Sequence, residues 1–325
     1  MSFDDAVTGY CEGDEARTEH GRMKQFLRHL YRDTDVGSRL LAPAATIYDF
    51  LRYRLLPTNT FLKRIFWKSQ GYELNLEDPT TLNEKIQWLK LHDRDPLLKL
   101  CADKLAVREY IERKFGAKYL APLEFHTDDP EDIRPEKLPD YPFIIKTTHS
   151  SGDSIIVMDK SKVNWKRARR ELSRSLRTNH YYRTREWQYR EIEPRMMVEK
   201  LLTDQYGVIP LDYKFHCLNG KLVFLQVDIG RHADHRRNLY TPDWVLLDCR
   251  LAHENGGEIR KPEKLDEMTS LAETIAQEFT YVRVDFFYLG SEIIVGELTF
   301  HPGSGFEVFS PQCWDRKLGE KLILS

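Results

Sequence analysis

The sequence predicts an α+β fold. Apolar residues at helical spacing interleave with short strands, and the strands come as hairpins across turn residues rather than as crossover units. A chain of 325 residues that is 41% hydrophobic and 12% aromatic is long enough to bury a sizeable core.

Taken in order, residues 1–20 are acidic and poor in large apolar side chains, and read as a disordered lead-in. Residues 21–74 form a basic, helical extension. Phe26, Leu27, Leu30 and Tyr31, then Ile47, Phe50, Leu51 and Leu55, fall three to four apart before Pro57 punctuates the pattern. Such helices pack on the main domain; the alternative is peripheral membrane contact through Arg28, Arg32, Arg39, Arg52, Arg54, Lys63 and Arg64.

Thr81 with Glu84 is a capping box that opens a helix through Ile86, Trp88 and Leu89. A second helix is expected over 98–114, ending near Gly116. Beyond Pro122 the text turns to strands: 143–146 and 154–158 flank a Ser/Gly loop, a helix covers 165–177, and a strand covers 195–201. Asn219-Gly220 joins strands 212–218 and 221–228, and a further hairpin joins 281–288 to 292–300.

Composition narrows the function classes. Forty-nine Lys and Arg against 51 Asp and Glu leave a net charge of −2, so no whole-protein attraction to nucleic acid is expected. The five cysteines (Cys11, Cys101, Cys217, Cys249, Cys313) form no CxxC pair and fit a reducing cytoplasm. No signal peptide is read at the start, and no apolar run approaches the ~20 residues of a membrane span. The expected location is therefore the cytoplasm, with peripheral attachment at the inner face of the membrane as an option.

The hairpin of 281–300 carries the densest chemistry. With a three-residue loop at 289–291, Tyr288 pairs with Glu292, Asp285 with Val295 and Arg283 with Glu297. One face then holds Arg283, Asp285, Glu297 and Thr299, and the other holds Val282, Val284, Phe286, Ile294, Leu298 and Phe300. A solvated, ion-paired sheet face has the same pattern. The strand nevertheless runs into Phe300-His-Pro-Gly-Ser-Gly305, a loop of small residues suited to close ligand approach, and two carboxylates plus substrate phosphates suit Mg²⁺. A second constellation, Lys146 at a strand end followed by a loop through Ser150, Ser151 and Gly152, offers backbone amides and a point charge to phosphate without being a Walker A motif. A serine-rich surface turn looks alike.

In order, Asp103-Lys104 with Arg108, Lys146 with its loop, Met197-Val-Glu199-Lys-Leu201, Arg283 with Asp285, and Glu297 with Thr299 resemble the ATP-grasp superfamily. Thr81-Leu-Asn-Glu-Lys-Ile-Gln-Trp88, Asp212-Tyr-Lys-Phe215 with Asn219-Gly-Lys221, and Gly296-Glu-Leu-Thr-Phe300 resemble its TupA-like branch, associated with teichuronopeptide and other bacterial polysaccharide or capsule synthesis. The resemblance covers residues 74–324. It implies two α+β lobes clasping a nucleotide, with an N-terminal lobe at 75–140, a small nucleotide-covering lobe at 141–200 and a C-terminal lobe at 201–325.

The resemblance also implies roles. Lys104 and Lys146 would contact ATP phosphates, with the backbone of Ser150, Ser151 and Gly152 closing over them. Glu199, Lys200 and Leu201 would form the adenine hinge, and Asp212 would reach the ribose. Asp285, Glu297 and Thr299 would hold two Mg²⁺ ions, and Arg283 would stabilise the transferred phosphoryl group. The superfamily usually has Asn where this chain has Thr299. The implied reaction activates a carboxylate, on a uronic-acid sugar, as an acyl phosphate for attack by an amine or amino acid, forming a C–N bond.

Other segments are weaker signals. Arg231, Arg236 and Arg237 are read as an anionic-substrate site, against a solvated loop; His232, Asp234 and His235 lack a fourth zinc ligand. His149 and His301 sit beside the ligand loops, as acid, base or substrate contact, or as loop-holding histidines. Lys160 to Arg177 carries eight positive charges around an apolar stripe, which reads as an amphipathic cover helix, with acidic-polymer binding as the alternative. Competing with a ligase are an ATP-grasp phosphotransferase that stops at phosphorylation and a non-catalytic nucleotide- or glycan-binding module. A DxD glycosyltransferase built on Asp33-Thr-Asp35 is disfavoured because that pair falls in a helical stretch.

Overall fold

The structure is a computed structural model that describes residues 55–324 except Asp153, Gln205 and 231–233. The expected lead-in, the extension up to residue 54 and Arg231 therefore lie outside the described residues. The chain divides into two compact units, Met1–Glu73 and Leu74–Ser325. In the first, helix α1 (Thr58–Gln70) starts after Pro57, buries Phe61, Leu62 and Phe66, and ends at Gly71, whose φ of 77° closes the last turn on the Trp67 carbonyl.

In the second unit, α2 (Leu82–His92) opens on the capping box: the Thr81 side chain accepts from the Glu84 amide, and the Glu84 carboxylate accepts from the Thr81 amide. The single helix expected over 98–114 is two, α3 (Pro96–Ala102) and α4 (Ala106–Phe115). The break falls at Asp103, which adopts an extended backbone and accepts from the Leu105 amide at 2.9 Å. An aspartate competing for backbone donors is the reason the pattern does not run through. The break also puts Lys104 outside either helix, where its amide meets the Thr148 carbonyl at 3.2 Å.

A four-stranded antiparallel sheet has the order β1 (Leu123–Thr127), β4 (Met196–Lys200), β2 (Phe143–Thr147), β3 (Ser154–Val157). It draws on residues before 141 as well as after. Helix α5 (Trp165–Arg177) lays Ala168 and Leu172 inward, and Leu172 joins Phe143, Ile145, Val157, Met196 and Val198 in one core. A short helix, α6 (His180–Thr184), follows and ends at Arg185 with φ 61°.

The second sheet is five-stranded and antiparallel, in the order β10 (Ile293–Thr299), β9 (Tyr281–Tyr288), β5 (Asp212–Leu218), β6 (Lys221–Ile229), β7 (Arg236–Tyr240). Asn219 and Gly220 take φ of 48° and 81°, the paired positive values that a two-residue hairpin needs. Strand alternation splits the residues of this sheet. Tyr213, Phe215, Val227, Val282, Val284 and Phe286 enter the main core with α3, α4 and helix α7 (Leu265–Ala276). Asp212, Lys214, Asp228, Arg283, Asp285 and Thr299 are also largely buried, on the other face.

The β9–β10 register departs from the expected one. Tyr288 pairs with Ile293 across a four-residue turn, and a bulge between Val295 and Glu297 sets Asp285 opposite Glu297 and Arg283 opposite Thr299. Gly296 permits it, because a Cβ there would lie 2.8 Å from the Phe287 ring. The bulge keeps all four polar residues together while returning Val295 to the core. Finally, β8 (Arg250–Leu251), β11 (Phe309–Ser310) and helix α8 (Cys313–Gly319) pack with α2 in a separate cluster. Among the described residues no helix is long and apolar enough to cross a membrane.

Candidate active site

Arg283 is the centre of the polar face. Its guanidinium donates to both Asp285 oxygens, at 2.6 and 2.7 Å, and to the Thr299 hydroxyl at 3.0 Å. That hydroxyl in turn donates to Glu297 at 2.6 Å. The four side chains singled out on the hairpin therefore form one connected group.

Lys214 of β5 extends it. Its ammonium lies 2.7 Å from Asp212, 3.3 Å from Asp228 and 3.4 Å from Asp285, and its side chain is only 4% exposed. Burial opposes the charge on Lys214, but the three carboxylates outweigh it and keep the lysine protonated. Lys214 lies within the Asp212-Tyr-Lys-Phe215 motif, in which the resemblance implies a role for Asp212 alone. The available signal was a lysine two positions from Asp212, hence on its face of the strand.

The four-stranded sheet and the α3–α4 junction bring cations to the cleft that Glu297 also lines. Lys104, Arg108, Lys146, Met197, Glu199, Val295, Gly296 and Glu297 line one cleft. Within it, Glu199 is clasped by Lys146 at 2.8 Å and by Arg108 at 2.5 Å, while Arg108 also donates to the Ala121 carbonyl. The ammonium of Lys104 donates to the Ser150 carbonyl. The loop after β2 is anchored by Thr147 and Ser150, whose hydroxyls are 2.6 Å apart, and by the Thr148 amide on the Arg195 carbonyl; Ser151 and Gly152 stay exposed, Gly152 with φ 86°.

The electrostatics follow from this arrangement. Burial pushes the Glu297 carboxyl up, but Lys104, Arg283 and the Thr299 hydroxyl outweigh it and bring it down to about 2. Burial leaves Asp285 above its ordinary range even with Arg283 and Lys214 beside it, and the nearby Glu297 charge adds to that. Two carboxylates and a hydroxyl on one face, one carboxylate penalised by burial, form a hard oxygen donor set that a divalent cation would relieve. Asp285, Glu297 and Thr299 thus fit Mg²⁺ completed by phosphate oxygens. Among the described residues no group of three or more His, Cys, Asp or Glu makes a self-sufficient cage.

The other singled-out residues are placed differently. The Lys200 and Leu201 amides already donate to the Pro122 and Pro142 carbonyls at 3.0 Å. Asp212 is turned into the Lys214 network. Arg236 and Arg237 do not converge, because neighbours on β7 point to opposite faces. Arg236 pairs with Asp234 at 3.0 Å near the surface, whereas Arg237 is buried against Asp228 at 2.6 Å and Glu307 at 3.0 Å. His301 is buried, with Nδ1 3.1 Å from the Gln188 amide nitrogen and 3.7 Å from Glu186. His149 meets the Thr178 carbonyl at 3.2 Å. His301 thus reaches the 186–188 turn and His149 the residue after helix α5.

One cleft thus gathers Lys104, Arg108, Lys146 and Glu297, and Glu297 is joined to Arg283 and Asp285 through Thr299. The family model described as TupA-like ATPgrasp matches residues 84–323, and the chain belongs to that family. Solved structures similar to it include a D-alanine–D-alanine ligase from Bacillus anthracis (20% identity, TM-score 0.39, 64% of this chain and 60% of that one). Others are the ATP-grasp ligase PsnB with a minimal precursor (13%, 0.37, 70% and 62%) and a D-alanine–D-alanine ligase from Helicobacter pylori (13%, 0.34, 70% and 60%). The chain thus spans about 60% of the length of these distant relatives. A comparison with curated proteins returns no match.

Proposed function

We propose that this protein is an ATP-dependent carboxylate–amine ligase working through an acyl phosphate. The observation that carries the reading is that Lys104, Lys146 and Glu297 line one cleft, with the Arg283–Asp285 pair adjoining Glu297 through Thr299. Cations and acidic oxygens lining one cleft are what a Mg²⁺-bound triphosphate requires.

Lys104 and Lys146 neutralise phosphate charge, and the amides of Ser150, Ser151 and Gly152 close over it. Arg283, held by its two bonds to Asp285, meets the transferred phosphoryl oxygens, which is stabilisation at the point where charge develops. Asp285, Glu297 and Thr299 would hold Mg²⁺, which when bound would supply further charge neutralisation of the phosphates. The acceptor carboxylate oxygen attacks the γ-phosphorus and ADP leaves. An amine nitrogen then attacks the acyl carbon, loses a proton and expels inorganic phosphate. The acceptor class is a uronic-acid sugar of a cell-surface polysaccharide precursor and the donor an amino acid, both from family likeness.

Product analysis tests the reading. Incubation with Mg·ATP, UDP-linked glucuronic acid and a mixture of amino acids is expected to give ADP, inorganic phosphate and an amide visible by mass. ADP with a stable phosphorylated sugar and no free phosphate would make the enzyme a phosphotransferase. Equal, background-level products from wild type and Asp285→Asn, across uronic acids, would leave a binding module.

A further inference from the structure

Directly beyond Thr299, residues 301–305 turn back on α2, and this turn is under strain. Gly303, Ser304 and Gly305 take φ of 54°, 54° and 65°, three consecutive left-handed residues of which Ser304 carries a side chain. Such a conformation persists in an L-residue only where its surroundings impose it.

Two side chains of α2 do so. Lys90, 1% exposed, brings Nζ to 2.6 Å from the Ser304 carbonyl, 2.7 Å from the Ser304 hydroxyl and 3.0 Å from the Thr184 carbonyl. Gln87, wholly buried, donates to the Ser304 and Gly305 carbonyls at 2.9 and 2.8 Å. The Phe306 ring lies 4.4 Å from the same ammonium. Thr184 precedes Arg185, whose φ is 61°, so one ammonium ties together two turns that each hold a left-handed side-chain residue. A lysine is costly to bury, and a leucine or methionine would fill its volume. Its retention here is matched by carbonyl acceptors that define the turn.

We infer that Lys90 and Gln87 are positioning residues of the active site, which lock the 301–305 turn in its left-handed form and join it to the 184–188 turn, so fixing the end of the metal-ligand strand. Only the functional consequence of this inference rests on the ligase reading; the lock itself does not.

Hydrogen exchange followed by mass spectrometry on the full chain tests it, with Lys90→Met, Gln87→Met and the double variant Lys90→Met/Ser304→Gly. Lys90→Met is expected to raise exchange across 299–307 at least tenfold while 281–288 stays within twofold of wild type. Adding Ser304→Gly, which accepts positive φ without penalty, is expected to recover at least threefold of that loss. Mg·ATP affinity should stay within threefold, because neither side chain lines the nucleotide cleft, and ATP turnover should fall at least tenfold. Unchanged exchange at 299–307 in both single variants overturns the lock, and no recovery with glycine overturns the strain argument. A loosened turn with full turnover overturns the positioning role. If Lys90→Met loses protection throughout, Gln87→Met decides by the same criteria. Failure of wild type to bind Mg·ATP sinks the ligase reading and leaves the exchange arms to decide the lock.

Discussion

Arg283 and Asp285, two residues apart on β9, are joined by a two-pronged hydrogen bond of 2.6 and 2.7 Å, with the Thr299 hydroxyl accepting a third proton at 3.0 Å. The arginine is thereby aimed along the face that carries Glu297 before any nucleotide arrives. Preorganised donors act where charge appears in the transition state and contribute little to ground-state binding. Arg283→Met is therefore expected to lower ATP turnover by about 10²- to 10³-fold while Mg·ATP affinity falls less than about tenfold. Steady-state kinetics beside calorimetry on the same variant checks the split; equal losses in both would make Arg283 a binding residue.

Glu199 sits between Lys146 and Arg108 with its side chain 7% exposed, and theirs 21% and 15%. Removing one partner of such a pair leaves like charges facing each other in a partly dry site. Glu199→Gln is expected to cost about 3 kcal/mol of stability, read as a lower midpoint in urea. A variant as stable as wild type would show the two cations to be hydrated and the clasp to be inert.

Asp315 anchors α8 on α2 by accepting from the Asn83 amide and side chain at 2.9 and 3.0 Å. Burial nonetheless raises its carboxyl from an ordinary 3.8 to about 6, more than the Asn83 hydrogen bonds offset. Between those values the folded chain holds more of this proton than the unfolded chain, so ν_U − ν_N is negative and stability falls as pH rises through the window. Two pKa units correspond to about 3 kcal/mol. Urea unfolding at pH 4 and pH 7 is expected to show wild type losing that much more than Asp315→Asn. Parallel profiles would contradict the assignment.

Two glycines of positive φ separate strain from contact. A Cβ at Gly290 meets nothing within 4 Å, whereas at Gly305 it would lie 2.5 Å from the Gln87 nitrogen and 2.8 Å from Ile86. Gly290→Ala is expected to cost about 1 kcal/mol and Gly305→Ala at least about 2 kcal/mol, with loss of turnover only in the second. Thermal unfolding and ATP turnover of the pair check this, and equal effects would remove the steric argument.

Much of this was legible in the sequence, for physical reasons that differ by element. The Thr81–Glu84 capping box, the Asn219-Gly220 turn and the helix of 165–177 are local signals, and the structure contains each of them. The polar face of β9 and β10 was legible as alternation, yet its register was not. The bulge at Gly296 depends on the Phe287 ring packing against it, which is a tertiary fact. The α3–α4 break at Asp103 was hidden by continuous apolar periodicity. Lys90 was invisible for the opposite reason, since a lysine on a helix reads as solvated until the loop from 301 to 305 is found folded over it. Arg237 looked like a ligand because it stood in a cluster of basic residues, and strand alternation buried it against Asp228 instead.

The central claim is that the cleft between Lys104, Lys146 and Glu297 binds Mg·ATP. Calorimetric titration of ATP with and without Mg²⁺, on wild type and Glu297→Gln, tests it most directly. The expected result is micromolar binding that needs Mg²⁺ and weakens at least tenfold in Glu297→Gln. No binding by wild type, or binding indifferent to both the metal and the substitution, would contradict it.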